Sequence, residues 1–230
     1  MRDLPKILVY HAVCEDRDFP TGAGTNVAPE NFKRQMEHLG RFLLLSSLKK
    51  TVDSGNHRAI AVTFDDGYAD NYTTSYPIIK KFAVPVTFFL TVGMVGKDWD
   101  FPRGLYPGLS WEEIREMGDD PLIDFGSHGY RHIDLTRIPE EESFLEIKSS
   151  RILLEENIGK TVRFFSYPHG SYNEEIIEQV RAAGYQEAFS VIPQKQGNFS
   201  RRRILISSRD TIFRFKLKLS PLYWPLRKII

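Results

Sequence analysis

Two side-by-side carboxylates, Asp65 and Asp66, and two imidazoles four residues apart, His128 and His132, are the residues of this 230-residue chain best suited to chemistry. On one turn of helix, a His-x-x-x-His spacing places both rings on a single face, close enough to share a metal ion. A metal site needs at least three protein ligands, so a carboxylate of the Asp65-Asp66 pair has to complete the set. Two histidines and a carboxylate with an open position suit zinc or another divalent transition metal acting on water. The remaining carboxylate is then free to take a proton from that water as general base. Hydrolysis also needs an acid for the departing group, and His11 is the best-placed histidine for it. Each feature alone has a plainer explanation. An Asp pair ahead of a helix serves as cap and first-turn charge, a His pair decorates a surface, and a lone His11 bonds to backbone.

The elements around these residues decide whether they can meet. Residues 60–64, Ile-Ala-Val-Thr-Phe, read as a buried strand that ends at the Asp pair. Adjacent side chains of an extended chain point to opposite faces, so both carboxylates reach one pocket only where the strand gives out. Strands are also expected over 7–10, 42–45, 86–90, 122–126, 162–167, 188–191 and 204–206. Helices are expected from Pro29, over 72–82, after the capping-box string Ser110-Trp111-Glu112-Glu113, from Pro139 to about residue 157, from Asn173 to Gly184, and over 210–219. Residues 11–28 read as a long surface loop, and 93–108 as irregular chain whose Trp99, Phe101 and Tyr106 could rim a pocket. Strand and helix alternate without repeats or a linker, which indicates an α/β fold with a mostly parallel sheet, open or closed into a barrel. In such folds ligands bind at the carboxyl ends of the strands. His11, Asp65-Asp66, His128 and Tyr167-Pro168-His169-Gly170 all fall there.

The length suits one domain over 1–230. With 31 basic and 30 acidic side chains the net charge is +1, which argues against a nucleic-acid partner. One cysteine, Cys14, leaves no intramolecular disulfide. No stretch approaches a membrane span, and the first residues lack the apolar core of a leader, so a cytoplasmic location is expected, or export if a leader is missing.

Three ordered strings then resemble the motifs of the polysaccharide deacetylases, carbohydrate esterase family four. They are Thr63-Phe64-Asp65-Asp66-Gly67-Tyr68, Ser127-His128-Gly129-Tyr130-Arg131-His132 and Tyr167-Pro168-His169-Gly170-Ser171-Tyr172. The likeness runs from about residue 7 to 206. It implies a distorted (β/α) barrel with fewer than eight repeats and an acetylated saccharide as substrate. It implies Asp66, His128 and His132 as ligands of a divalent metal, zinc first, with nickel, cobalt or manganese as alternates. It implies Asp65 as base, and a groove wall at Tyr167 and Pro168 with the His169 backbone N–H at the oxyanion.

Two departures stand out. Where the family's third motif often carries an arginine that orients the base, this chain has Ser166, leaving Arg163 and Arg203 as candidates. No histidine follows His169, so the usual late acid is absent. Both features resemble the poly-β-1,6-N-acetylglucosamine deacetylase branch, whose acid comes from an early Tyr-His pair, here Tyr10-His11. The activity implied is N-deacetylation of N-acetylhexosamine in a saccharide or in its lipid- or nucleotide-linked precursor. A catalytically inactive glycan-binding module and an O-deacetylase are the alternatives. Residues 210–230 mix Arg214, Lys216, Lys218, Arg227 and Lys228 with aromatic and apolar side chains. Such a helix and tail either closes the barrel or touches an anionic membrane or lipid-linked sugar at the inner face.

Overall fold

The computed structural model describes residues 6–42, 44–56, 58–192, 197–220 and 223. Its elements in chain order are β1 (Lys6–Tyr10), α1 (Pro29–Phe42), α2 (Leu48–Ser54), β2 (Ile60–Phe64), α3 (Tyr76–Phe82), β3 (Val86–Leu90), β4 (Asp98–Phe101), β5 (Gly104–Pro107), α4 (Trp111–Gly118), β6 (Ile123–Ser127), α5 (Glu140–Ile158), β7 (Phe164–Ser166), α6 (Glu174–Ala182), β8 (Glu187–Ser190), β9 (Arg201–Arg202), β10 (Ile204–Leu205) and α7 (Ile212–Leu219).

Eight strands, all paired in parallel, form one sheet in the order β10-β1-β2-β3-β6-β7-β8-β9. Its two edge strands, β9 and β10, are consecutive in the chain with Arg203 alone between them. A single segment thus pairs first with β8 and then with β1, drawing the sheet round into a nearly closed, barrel-like shape. This is the distorted (β/α) barrel expected. Parallel register keeps paired residues on the same face. Ile7, Ala61, Phe89, Phe164 and Phe189 accordingly meet as one buried cluster, with Leu48 of α2, in the lumen. The larger apolar cluster lies outside the strands, against the helices.

The helices end where their sequences say. Ser110 and Glu113 complete the capping box, Asn173 accepts from the Ile176 N–H, and Gly159 closes α5 in the left-handed conformation. Four expectations need correction. Phe42 is the last residue of α1, and Leu45 alone makes a bridge to Ile60. The helix α2, a short run between Ser47 and Gly55, went unread. Residues 98–107 are a hairpin rather than irregular chain. The 11–28 loop is partly internal: Ala12, Val13, Phe19 and Val27 are buried. No helix among the described residues is long and apolar enough to cross a membrane. Most of the basic-aromatic tail, residues 221, 222 and 224–230, lies outside the described residues.

Candidate active site

The strand β2 ends at Phe64, and the chain then turns through Asp66 (φ 74°) and Gly67 (φ 84°). A left-handed residue directly after a strand swings its side chain back toward the face its predecessor already occupies. That resolves the alternation problem, and both carboxylates enter one pocket. Gly67 is required there: a Cβ would lie 2.9 Å from Leu90 Cδ2.

Asp65 is buried and clamped. Arg203 donates from Nη1 to Oδ1 (2.7 Å) and from Nη2 to Oδ2 (2.6 Å), and the Ser166 hydroxyl donates to Oδ2 (3.1 Å). The same Nη2 donates to Ser166 Oγ at 2.6 Å. Burial alone would raise the Asp65 carboxyl; the Arg203 guanidinium, followed by His128, overrides it and holds it below the usual carboxylate range. Of the two candidate arginines, Arg203 is the one that contacts Asp65, whereas Arg163 pairs with Asp53 at the surface. Ser166 does not stand in for an arginine; its small hydroxyl leaves room for one arriving from the barrel's closing segment. Beneath lies Phe89, whose ring sits 5.2 Å from the Arg203 guanidinium carbon. Phe89 in turn occupies the space over Gly126, where a Cβ would come within 2.5 Å of the ring.

Asp66 is treated differently. Its Oδ1 is buried without a hydrogen-bond partner and faces His132 Nε2 at 3.2 Å and His128 Nε2 at 3.5 Å. Asp66, His128 and His132 each offer one ligand atom, all within 4.8 Å of one another. His128 Nδ1 lies 2.8 Å from the Ser166 carbonyl, so Nδ1 carries the proton and the Nε2 lone pair points at the carboxylates. Burial lowers the His128 pKa to about 4, leaving the ring neutral near pH 7. At His132 burial opposes charge, but Asp66 outweighs it and raises the pKa, so this corner favours a cation. A buried, unpartnered carboxylate oxygen beside a neutral imidazole lone pair fits a divalent ion.

The two histidines do not lie on a helix. Residues 128–132 form a loop with Gly129 at φ 77° and His132 at φ 60°, which brings the ring centroids to 5.0 Å. The loop is held from outside. Arg131 N–H and Nε donate to Glu146 of α5 at 2.8 and 2.5 Å, and Gly93 N–H donates to the Tyr130 carbonyl at 2.8 Å. Arg131 is thus a staple rather than a reacting group. Trp99 of the hairpin, one of the aromatics expected to rim a pocket, packs its ring 5.5 Å from that of His132, and Tyr68 lines the same cavity.

His11, Asp65, Asp66, His128, His132, Tyr167, His169 and Arg203 line one cavity of about 330 Å³. The His11 Nδ1 is buried without a partner. The His169 ring lies 4.5 Å from that of His132, at a residue with φ 57°. Tyr167 is buried and donates to the Phe199 carbonyl at 2.8 Å. Pro168 is buried and is not part of the cavity wall, so of the three groove residues only Tyr167 and His169 line it.

Residues 53–188 match the family model described as polysaccharide deacetylase. This chain belongs to that family. The deacetylase-family chain is 29% identical over 212 residues to YxkH of Bacillus subtilis (strain 168), whose name carries the same family, covering 87% of this chain and 71% of that protein. It is 27% identical over 202 residues to the poly-β-1,6-N-acetyl-D-glucosamine N-deacetylase of Staphylococcus epidermidis, covering 80% and 68%. Its fold superposes on the Streptococcus pyogenes deacetylase PplD, solved in complex with acetate, with a TM-score of 0.80 over 95% of this chain and 99% of that one, at 21% identity. Family membership makes the chain a deacetylase-type hydrolase with an acetylated saccharide as substrate.

Proposed function

We propose that this chain is a metal-dependent N-deacetylase that removes acetyl groups from N-acetylhexosamine in a poly- or oligosaccharide or its lipid- or nucleotide-linked precursor. The observation that carries the reading is the unequal treatment of two adjacent aspartates. Asp65 is held as an anion by a guanidinium, while Asp66 presents an unpartnered oxygen to two imidazoles. The N-acetylglucosamine polymer named for the S. epidermidis relative supports the choice of sugar.

Asp66, His128 and His132 would hold a divalent cation, zinc first, which supplies Lewis-acid polarisation of the acetamide carbonyl and acidifies water. Asp65 takes the proton of the attacking water. Each carboxylate oxygen has two lone pairs, so the Arg203 clamp fixes the carboxylate's direction while leaving an acceptor free. The clamp also lowers its basicity. The oxygen of water bonds to the acetamide carbon, and the His169 backbone N–H donates to the oxyanion that develops. His11 gives a proton to the amine nitrogen as the C–N bond breaks, and acetate leaves.

Acetate release from a panel of N-acetylated saccharides, with and without chelator, tests this. Release of amino sugar and acetate, lost on chelation and restored by zinc, is expected. Zinc-loaded protein that frees acetate from none of them, with Asp65→Asn indistinguishable from the parent, overturns it.

A further inference from the structure

The cavity that holds the carboxylates does not end at Leu205. A larger hollow of about 800 Å³ adjoins it, the two sharing Ala23, Thr25 and Leu205 in their walls. That hollow shares Ser207 and Arg209 with a third cavity of about 240 Å³ bounded by α7 and Tyr223. Each sharing wall residues with the next, the three line up as a trough along the barrel's closing segment, leading away from Asp65.

Charge is uneven along the trough. The middle hollow carries both signs, Glu15 and Asp16 with Arg103. Among the described residues that line the distal cavity the only acid, Asp210, is buried and already accepts from Lys218 Nζ (2.6 Å) and the Ser207 N–H (2.8 Å). Arg209 and Arg214 are exposed there, and neither makes an ion pair with a described residue. Arg209 sits on a pinned turn. Asp210 N–H donates to the Ser207 carbonyl (2.9 Å), the Asp210 carbonyl accepts from Gln35 Nε2 (3.0 Å), and Gln35 Oε1 accepts from the Tyr10 hydroxyl (2.8 Å), beside His11. Two guanidinium forks without an ion-pair partner among the described residues, Arg209 on this fixed turn and Arg214 on the first turn of α7, suit an oxyanion.

We propose that the distal cavity is a subsite for an oxyanion, phosphate or carboxylate, borne by the acetylated saccharide away from the acetamide that is cleaved. The substrate class becomes an anionic N-acetylated saccharide, with its acetamide at Asp65 and its charged group at Arg209 and Arg214. This rests on the deacetylase reading of the first cavity.

The test compares acetate release from a neutral N-acetylglucosamine oligosaccharide, the same oligosaccharide with a reducing-end phosphate, and one carrying a uronic acid. We expect kcat/KM for one anionic form to exceed the neutral one by about ten-fold or more, through KM. That ratio falls with added salt. It collapses toward one in the Arg209→Gln/Arg214→Gln double variant and is partly kept by Arg209→Lys. Whichever anionic form is preferred identifies the source of the charge. Equal kcat/KM for all three, or a ratio intact in the double variant, overturns the subsite. Calorimetry with the Asp65→Asn protein decides it independently of turnover. A gap of about ten-fold between phosphorylated and neutral oligosaccharide, lost in the double variant background, supports the subsite, and equal affinities overturn it. Absence of acetate from every saccharide, together with that binding gap, counts against the deacetylase reading alone.

Discussion

The lumen and the rim of this barrel bury carboxylates by opposite means. In the lumen, Asp65 is satisfied within the protein by Arg203 and Ser166, on strand ends that the sheet holds rigid. At the rim, Asp66, His128 and His132 sit on turns with positive φ and leave an acceptor open. The lesson is a division of labour. The finished network fixes a carboxylate in place, and the unfinished one leaves a carboxylate oxygen open to a ligand.

The sharpest break between the two is functional. Asp65→Asn should lower kcat by about a thousand-fold, within the range for losing a positioned base, while zinc still binds. Asp66→Asn should lose both activity and zinc, with affinity falling by about ten-fold or more. Zinc titration beside initial rates reads the difference, and equal loss of zinc in both variants would erase the distinction between lumen and rim.

Stability should break along the same line. Arg203→Gln leaves Asp65 buried without its cation, and should destabilise the fold by about 3–5 kcal/mol. Removing a rim histidine, as in His132→Ala, should cost clearly less, because the rim carries its own unmet oxygen already. Denaturant midpoints of both variants measure this, and a larger loss at His132 would count against the argument.

A third carboxylate, Asp70, has neither solution. It accepts from the Val13 N–H, and from Asn71 Nδ2 at 3.3 Å, but no cation among the described residues pairs with it, and burial pushes its pKa up to about 7. A raised acid binds more protons folded than unfolded, so its contribution to stability falls as pH rises from about 4 to about 7. Asp70→Asn removes that dependence. Relative to the parent it should gain about 2–3 kcal/mol between pH 5 and pH 8, at ~1.4 kcal/mol per pH unit. For a chain of this size that is roughly 5–10 °C in the Tm difference. A Tm difference flat with pH would show that Asp70 is ionised in the fold.

Which parts of this were legible in the sequence follows from distance along the chain. Asp65-Asp66 and His128…His132 stand in local strings, so their chemistry could be read directly. Parallel strands with apolar runs also declared themselves. The Arg203 clamp could only be named as one of two candidates, because it depends on β9 and β10 being the two edges of one sheet. That is a pairing between residues 8–9, 189–190 and 201–205 which no local pattern carries. That His128 and His132 meet across a loop rather than on one turn of helix was hidden for a related reason. A spacing of four suits a helix, but Gly129 and the Arg131–Glu146 contact bend the chain instead. The hairpin at 98–107 was hidden by Pro102, Gly104 and Pro107, although its Trp99 and Phe101 do stand against the site.

Gly126 links lumen packing to the clamp, and its replacement is the smallest effect expected here. An added methyl at Gly126 would meet the Phe89 ring at 2.5 Å and the Phe164 carbonyl at 3.0 Å. Neither the backbone nor a buried ring yields easily, so Gly126→Ala should cost about 1–3 kcal/mol by overpacking. The ring's freedom lies upward, toward the Arg203 guanidinium 5.2 Å away. The displaced Phe89 should therefore disturb the Arg203–Asp65 pair and lower kcat, while zinc at the rim binds as before. Phe89→Leu in the same background restores room beneath the arginine and should recover part of the rate. If Gly126→Ala instead weakens zinc binding and leaves kcat intact, the lumen and the rim are mechanically one unit, and the division drawn between them fails.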